Sequence, residues 1–318
     1  MTVLGAGRGR RGHPIRHRLE YVMVMLVRVA VRVFPHRWVI RMGDTLGRLF
    51  HCFDHRRRAT ALANVKAAFP MRSDIECRVI VRGAFTNLGR HVLHLLRFDT
   101  MGVEQMMTLV EFEGEERVEQ SLASGQAVMY FAGHFGFWEL QIMAHAARFE
   151  PILMVARTLD NPFLEAMIER LRTRVGTRVI SRKGAVRRLL RGLYDHQSVG
   201  LMIDQHIEDR SAVTVKFFNR PASTTSTIAV LAMRAGVPII PVFALPLPGG
   251  RYRMIYEAPI EQPDPDHPDA ARVLTQRCTD VLEAYVRRYP ELWLWMHRRW
   301  RVANVPDRSP DPERSDIT

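Results

Sequence analysis

The chain has 318 residues and carries 46 Lys and Arg against 33 Asp and Glu, a formal net charge of +13 at pH 7. With 47% hydrophobic and 25% charged residues it is long and apolar enough to bury a core, which excludes a disordered chain and a multispanning membrane protein. Its three cysteines form no CxxC pair, which argues against a disulfide framework or a cysteine-built zinc site and is typical of a reducing compartment.

The positive charge is concentrated at the N-terminus. Residues 1–58 contain thirteen arginines and three acidic residues. This segment therefore carries +10 of the net charge of +13. Such a segment is typical of proteins that bind nucleic acid, an anionic membrane surface or an acidic partner. Nucleic acid is the weakest of the three, because the chain has no RNP-like motif, no zinc-finger spacing and few aromatic residues for base stacking.

An apolar stretch from Tyr21 to Phe34 lies inside this basic segment, interrupted by Arg28 and Arg32, which share one stripe of a helix. The stretch is shorter than the ~20 apolar residues that cross a bilayer, and no small-x-small cleavage site follows it. We therefore predict a helix that lies in the membrane interface with its arginines near the lipid phosphates. The alternative is a soluble amphipathic helix packed on the rest of the protein.

More helices are predicted up to about residue 96. One segment covers residues 35–58, another runs from Asn64 to Phe69, and Ser73 and Glu76 form a capping-box pattern that opens a long helix ending near Leu96. After residue 110, short apolar runs alternate with helical periods. Strands are predicted at 127–132, 151–156, 178–180, 199–203, 213–218, 237–245 and 252–258, and helices at 140–148, 162–175, 185–194, 224–235 and 270–288.

This alternation predicts an α/β fold, with a mixed, largely parallel sheet flanked by helices and preceded by the membrane-interface helix. The predicted organisation is a basic membrane-associating segment at 1–58, an α/β domain at 59–305 and a disordered tail at 306–318, where the sequence is polar and contains proline.

The candidate site is the segment from Gly133 to Glu139, which follows a predicted strand and opens a predicted helix. This is where α/β sheets bind their ligands. A carboxylate can orient a histidine and stabilise its imidazolium, so His134 and Glu139 suit general-base catalysis on a hydroxyl. The alternative is a histidine of the core with an unrelated glutamate nearby.

Other kinds of site lack a motif. The chain has no G-x-S-x-G elbow, no P-loop and no strand-linked G-x-G-x-x-G, so neither a serine hydrolase of that type nor nucleotide binding is supported. His134, Glu139 and His145 do not have the H-E-x-x-H spacing, and we expect no metal there.

The segment from Gly133 to Glu139 resembles the GH-x-G-N-W-E form of the H-x4-[DE] motif of the bacterial lysophospholipid acyltransferase family. Within that family it is most like the lipid A late (lauroyl/myristoyl) acyltransferases, with phosphatidylinositol-mannoside acyltransferases as relatives. The resemblance covers about residues 20–304. It includes, in order, the blocks Asn64–Pro70, Arg157–Pro162, Arg182-Lys183, Asp204-Gln205, Ala222–Thr225 and Tyr289–Trp300.

The resemblance implies a glycerolipid acyltransferase-like fold and a membrane-associated O-acyltransferase. Such an enzyme moves a fatty acyl chain from an acyl carrier protein or CoA thioester to a hydroxyl of a lipid A precursor. His134 then resembles the general base and Glu139 its orienting carboxylate. Arg172 and Asp204 fall where the lipid A enzymes carry functional residues, and Arg157 is implied with them in substrate binding.

The implied reaction needs no metal and no bound cofactor, because the thioester supplies its driving force. The implied location is the cytoplasmic face of the inner membrane. The implied partners are anionic lipids, the acyl carrier protein or acyl-CoA and the lipid acceptor, with nucleic acid not among them.

Two residues depart from the family pattern. Phe137 stands where the family usually has Asn, and His206 follows Asp204-Gln205 in place of the more frequent acidic residue. These departures leave open an acyltransferase acting on another glycolipid or lysophospholipid, or a catalytically inactive membrane-bound homologue. Trp293 and Trp295 suit either a membrane-interface contact or packing in the core.

Overall fold

The computed structural model of the chain describes residues 14–181, 184–264 and 266–300. The predicted tail at 306–318 and the Arg182-Lys183 block therefore lie outside the described residues.

Four helices form the N-terminal part of the fold: α1 (Pro14–Val33), α2 (His36–Phe53), α3 (His55–Ala68) and α4 (Asp74–Asp99). The predicted helix over 35–58 is divided at Asp54, whose side chain accepts a hydrogen bond from the Arg57 backbone N–H (2.9 Å) and so caps α3. The capping box predicted at Ser73 and Glu76 is confirmed, because each side chain binds the backbone N–H of the other residue.

Helix α2 crosses α4 at very short range because glycines lie at the contact. A Cβ atom added to Gly89 would lie 2.2 Å from the Gly43 carbonyl oxygen, and one added to Gly47 would lie 2.3 Å from the Phe85 carbonyl oxygen. The absent side chains allow the two backbones to touch.

The remaining elements form the α/β part of the chain. Its helices are α5 (Val103–Met107), α6 (Glu115–Ala123), α7 (Trp138–Arg148), α8 (Pro162–Thr173), α9 (Ala185–Tyr194), α10 (Thr227–Ala235) and α11 (Ala270–Arg288). Its strands are β1 (Val110–Glu113), β2 (Met129–Ala132), β3 (Leu153–Val155), β4 (Arg178–Ile180), β5 (Val199–Met202), β6 (Ala212–Phe217), β7 (Arg220–Thr225), β8 (Ile239–Pro246) and β9 (Tyr252–Tyr256).

Seven strands form one sheet in the order β1-β9-β8-β2-β5-β3-β4, while β6 and β7 pair separately as an antiparallel hairpin. Every pair in the large sheet is parallel except β8 with β9. The predicted α/β fold with a mixed, largely parallel sheet is therefore confirmed.

Two strands were not predicted. Half of β1 is glutamate, which weakens the apolar pattern of a strand. Strand β7 is rich in Ser and Thr, and its last residues were assigned to the following helix. Its pairing with β6 depends on a turn at Phe218 and Asn219, both with positive φ.

The sheet is covered on both faces. Alternate residues of β2 point to opposite sides, so that Met129 and Phe131 pack in a cluster with α10 and α11 while Tyr130 packs in a second cluster with α7. A buried parallel strand of this kind leaves only its carboxyl end open to a ligand.

Helices α1 and α2 pack against this body through α4. Val31, Val39 and Leu93 form a small core there with residues of α8. Arg28, which we expected near lipid phosphates, instead forms an ion pair with Asp99 at the end of α4. Among the described helices none is both long and apolar enough to cross a bilayer. The interfacial placement of α1 and the boundary at residue 58 stay predictions.

The glycine contact between α2 and α4 gives a test of the fold. We expect Gly89→Ala to destabilise the protein by about 1–3 kcal/mol, because the new methyl group must push the α2 backbone away. Thermal unfolding of the variant should show a midpoint several degrees lower. Gly102→Ala is the matched control, since a Cβ there would meet no atom within 4 Å. Equal stability of the two variants would contradict this packing.

Candidate active site

His134 and Asp204 are brought together by the register of two neighbouring strands. Strands β2 and β5 run parallel with Ala132 opposite Met202. His134 and Asp204 each follow these partners by two residues, so both side chains emerge at the same point of the carboxyl edge. Their contact joins residues that are 70 positions apart in the sequence.

The loop that carries His134 is held rigidly by backbone hydrogen bonds. Gly136 has a φ of 59° and its missing Cβ would lie 1.9 Å from the Ala244 carbonyl oxygen, so only glycine fits. The N–H groups of Gly136 and Phe137 donate to the carbonyls of Leu292 (2.9 Å) and Ala244 (3.2 Å). The Leu294 N–H in turn donates to the His134 carbonyl (3.0 Å), which ties the loop to the C-terminal segment.

The Asp204 carboxylate is fully buried and accepts three hydrogen bonds. The donors are the His134 ring at Nδ1 (2.8 Å), the His134 backbone N–H (2.7 Å) and the Trp293 indole N–H (2.9 Å). Burial alone would raise the pKa of this carboxyl, but the charge and hydrogen bond of His134 outweigh burial and hold the pKa well below its ordinary value. Asp204 is therefore ionised at neutral pH.

The same pair sets the protonation of His134. Burial works to lower the pKa of His134, but the Asp204 charge and hydrogen bond outweigh it, with a smaller contribution from Glu139, and the pKa lies above the ordinary 6.5. With Nδ1 bound to Asp204, the Nε2 atom is the ring position left for a substrate. It lies 3.4 Å from the side-chain nitrogen of Gln205, which is exposed.

Glu139 makes a different contact from the one predicted. It lies in the first turn of α7 and forms a bidentate ion pair with Arg172 of α8, with N–O distances of 2.6 and 3.1 Å. The hydrogen bond to His134 expected from Glu139 is made by Asp204. Both side chains are nearly buried. The Glu139–Arg172 pair connects α7 and α8 beside the site.

Arg157 is not brought to this cluster. It lies in the segment after β3, is exposed, and faces Asp160 at 3.7 Å. Phe137 is buried among aromatic rings, including those of His91, Phe98 and Tyr252. The phenyl ring of Phe137, which stands where the family usually has Asn, therefore lies in the core and not on the exposed side of His134.

The C-terminal segment supplies residues that were not expected in the site. Trp293 and Trp295 are buried, so of the two roles that the sequence left open for these indoles the structure shows packing in the core. Trp293 binds Asp204, and His297 Nε2 lies 3.1 Å from the Asp204 carbonyl oxygen. The position of both residues in the Tyr289–Trp300 block was the only sequence signal for them.

His145 lies elsewhere. Its Nδ1 bonds with the Tyr256 hydroxyl at 3.0 Å in the core beneath α7. Across the described ranges, no group of three His, Cys, Asp or Glu side chains is arranged to hold a metal ion.

The sequence matches a family of known enzymes over most of its length. Residues 11–302 match the model of the family described as bacterial lipid A biosynthesis acyltransferase. The chain is 25% identical over 300 residues to the lipid A biosynthesis lauroyltransferase of Escherichia coli (strain K12). The matched region covers 93% of this chain and 96% of that relative.

Two further relatives from the same organism agree with this match. The lipid A biosynthesis myristoyltransferase is 22% identical over 257 residues (80% of this chain, 77% of the relative). The palmitoleoyltransferase is 23% identical over 279 residues (86% and 89%). The resemblance seen in the ordered motifs is thereby confirmed: the chain belongs to the bacterial lipid A biosynthesis acyltransferase family and is an acyltransferase.

Proposed function

We propose that the protein transfers a fatty acyl chain from an acyl thioester to a hydroxyl group of a lipid A precursor, with His134 as the general base and Asp204 as its orienting carboxylate. The observation that carries the proposal is the 2.8 Å contact between His134 Nδ1 and the buried, ionised Asp204. The named activities of the three relatives supply the acceptor class.

The proposed step balances as follows. Nε2 of neutral His134 takes the proton of the acceptor hydroxyl while the hydroxyl oxygen attacks the thioester carbonyl carbon. The tetrahedral intermediate collapses, the C–S bond breaks, and the imidazolium returns its proton to the leaving thiolate. Between these two events Asp204 stabilises the imidazolium, because its carboxylate holds a negative charge beside Nδ1.

The oxyanion of that intermediate needs a hydrogen-bond donor. The backbone N–H groups of residues 134–137 are all bound to other acceptors, at 2.7–3.2 Å. The side-chain amide of Gln205 is exposed and lies beside His134 Nε2. We therefore assign the oxyanion donor to Gln205.

The remaining predicted residues take supporting roles in this proposal. Glu139 and Arg172 hold α7 against α8 and keep a negative charge near the imidazole, which contributes to the raised pKa of His134. Among the described residues, Arg157 forms an ion pair with Asp160, whose side chain is 92% exposed, and such a pair is weak. Its guanidinium is therefore available to a phosphate of the substrate.

Membrane association is part of the proposal. One side of α1 packs on the protein, while its opposite side exposes a stripe of large apolar residues at helical spacing: Leu19, Val22, Met23, Leu26, Val29 and Val33. Helix α2 continues this surface with exposed Trp38, Leu49, Phe50 and Phe53. A contiguous apolar patch flanked by arginines such as Arg32 and Arg41 favours an anionic lipid surface, where the acceptor resides. We propose the inner membrane as the location, because this surface suits lipid and the relatives are named for lipid A biosynthesis.

The base assignment is tested by His134→Ala. We expect the rate of acyl transfer from radiolabelled acyl carrier protein or acyl-CoA to a lipid A precursor to fall by about 100- to 10,000-fold, because the hydroxyl loses its proton acceptor. His267→Ala, in an exposed loop, is the control and should keep full activity. Equal turnover in the two variants would overturn the role of His134. Lipid mass spectrometry with and without the protein then identifies the acceptor.

The apolar surface is tested by Val22→Asp/Leu26→Asp. Each side chain is more than half exposed, so the fold should survive, whereas binding to vesicles of phosphatidylethanolamine and phosphatidylglycerol should fall by at least about 100-fold. The control is Met71→Asp/Ile75→Asp, which places the same charges at exposed apolar positions outside this surface. Unchanged vesicle cosedimentation of the first variant would remove α1 from the membrane contact.

A further inference from the structure

A cluster of arginines lies along α4, in cavities separate from the apolar groove between α1, α2 and α4. We call it the basic cleft and define it by Arg48, Arg58, Arg78, Arg82 and Arg90. Two cavities of about 360 and 460 Å³ make up the cleft, and both are lined by Arg82. Arg78 and Arg90 are twelve residues apart on α4, so the cleft extends over roughly 18 Å.

The cations of the cleft are only partly compensated. Arg90 forms an ion pair with Asp44, and Glu291 is the one acidic residue among the described side chains that line the two cavities. Arg58 is held in place by the His51 carbonyl oxygen (2.7 Å) and by His55 Nδ1 (2.6 Å). Burial and the charges of Arg58 and Arg82 lower the pKa of His51, which shows how closely the cations are gathered.

The inner end of the cleft contains two buried histidines with unused nitrogen atoms. His91 and His94 line the larger cavity and are each 6% exposed. Within the described part of the chain, His91 Nδ1 and His94 Nε2 have no hydrogen-bond partner. Burial lowers the pKa of each ring to about 3, so both are neutral and suit an uncharged polar group. Buried polar atoms of native proteins nearly always have a partner, so these two point to a ligand or ordered solvent.

The inner end also reaches the proposed base through two ring contacts. His91 stacks on Trp138 with 3.7 Å between ring centroids, and Trp138 packs edge-on against His134 at 5.4 Å. Gly136 and Phe137, from the loop that carries His134, line the same cavity. A molecule in the cleft would therefore contact the loop that carries His134.

We propose that the basic cleft binds a phosphate group of one of the two substrates, while His91 and His94 bind the uncharged amide or hydroxyl part between that phosphate and the reacting group. The inference rests on the proposed function, because it locates a substrate of that reaction. Phosphate suits the cleft because guanidinium groups bind it with charge-assisted hydrogen bonds. The phosphate belongs either to the pantetheine arm of the acyl donor or to the lipid acceptor.

A bilayer surface is a poorer occupant. The apolar groove between α1, α2 and α4 is lined by residues such as Trp38, Leu49 and Phe50 and contains none of the five arginines of the cleft. On α2, Arg48 and Leu49 are adjacent and project about 100° apart around the helix axis. The cleft and the apolar surface thus face different directions.

The test uses Arg78→Ala/Arg82→Ala in the full-length protein. Both side chains are exposed, so the variant should fold, and thermal unfolding checks this. The matched control is Arg187→Ala/Arg191→Ala, which removes the same charges at the same spacing from exposed positions on α9. Calorimetric titration with inorganic pyrophosphate should show at least about tenfold weaker binding for the cleft variant only. Pyrophosphate binding needs no turnover, so it tests the cleft even if acyl transfer is not observed.

Steady-state kinetics then identifies the source of the phosphate. A KM raised about tenfold for the acyl donor, with kcat within about twofold, assigns the cleft to the pantetheine phosphate, and the same change for the acceptor assigns it to the lipid. Either result supports the proposal. Pyrophosphate binding and both KM values equal to those of the control would overturn it while leaving the proposed function intact. Loss of vesicle binding with both KM values unchanged would also overturn it, in favour of a lipid-surface contact.

Discussion

The site depends on one buried carboxylate. Asp204 is fully buried, where an isolated charge is strongly disfavoured, yet three hydrogen bonds, one of them from the His134 ring, keep it ionised. Its hydrogen bond with the His134 backbone fixes the loop, and its contact with Nδ1 fixes the ring and its tautomer. Loss of the carboxylate would remove one hydrogen bond each from the loop backbone, the ring and the Trp293 indole, because all three share it.

The surrounding structure holds that carboxylate and the loop next to each other. Strands β2 and β5 deliver the two residues to the same edge, and the C-terminal segment closes over them through Leu292, Trp293 and Leu294. Asn64 of α3 donates to the carbonyls of Trp295 (2.9 Å) and His297 (2.7 Å), so the N-terminal helices fix that segment in turn. The three parts of the chain are therefore connected by these hydrogen bonds as well as by one shared hydrophobic core.

The sequence was sufficient for the fold class and for the position of His134 at the end of a strand, but not for the carboxylate that contacts its ring. Apolar runs, turn signals and the Ser73 capping box predict most elements, because local patterns determine them. Proximity in the sequence predicts Glu139 as the partner of His134, whereas in the structure Glu139 binds Arg172. Which strands are neighbours is a long-range property, and the β2–β5 register that selects Asp204 has no local signature. Trp293 and Trp295 were ambiguous for the same reason, since an indole at a membrane and one in a core have similar local sequences.

Titration of His134 by NMR tests the central interaction most directly. In protein labelled at the histidine ring carbons, with the signal assigned by its absence in His134→Ala, we expect a pKa above 6.5 for the wild type. In Asp204→Asn burial still lowers the pKa of His134, but the carboxylate charge that raises it is gone, so the pKa should fall below 6.5. Glu139→Gln removes a smaller contribution and should leave the pKa above that value. In the proposed mechanism His134 accepts a proton when it is neutral, so the acidic limb of the rate profile should move with its pKa. A pKa that falls in Glu139→Gln and not in Asp204→Asn would contradict the assignment of Asp204 as the partner of His134.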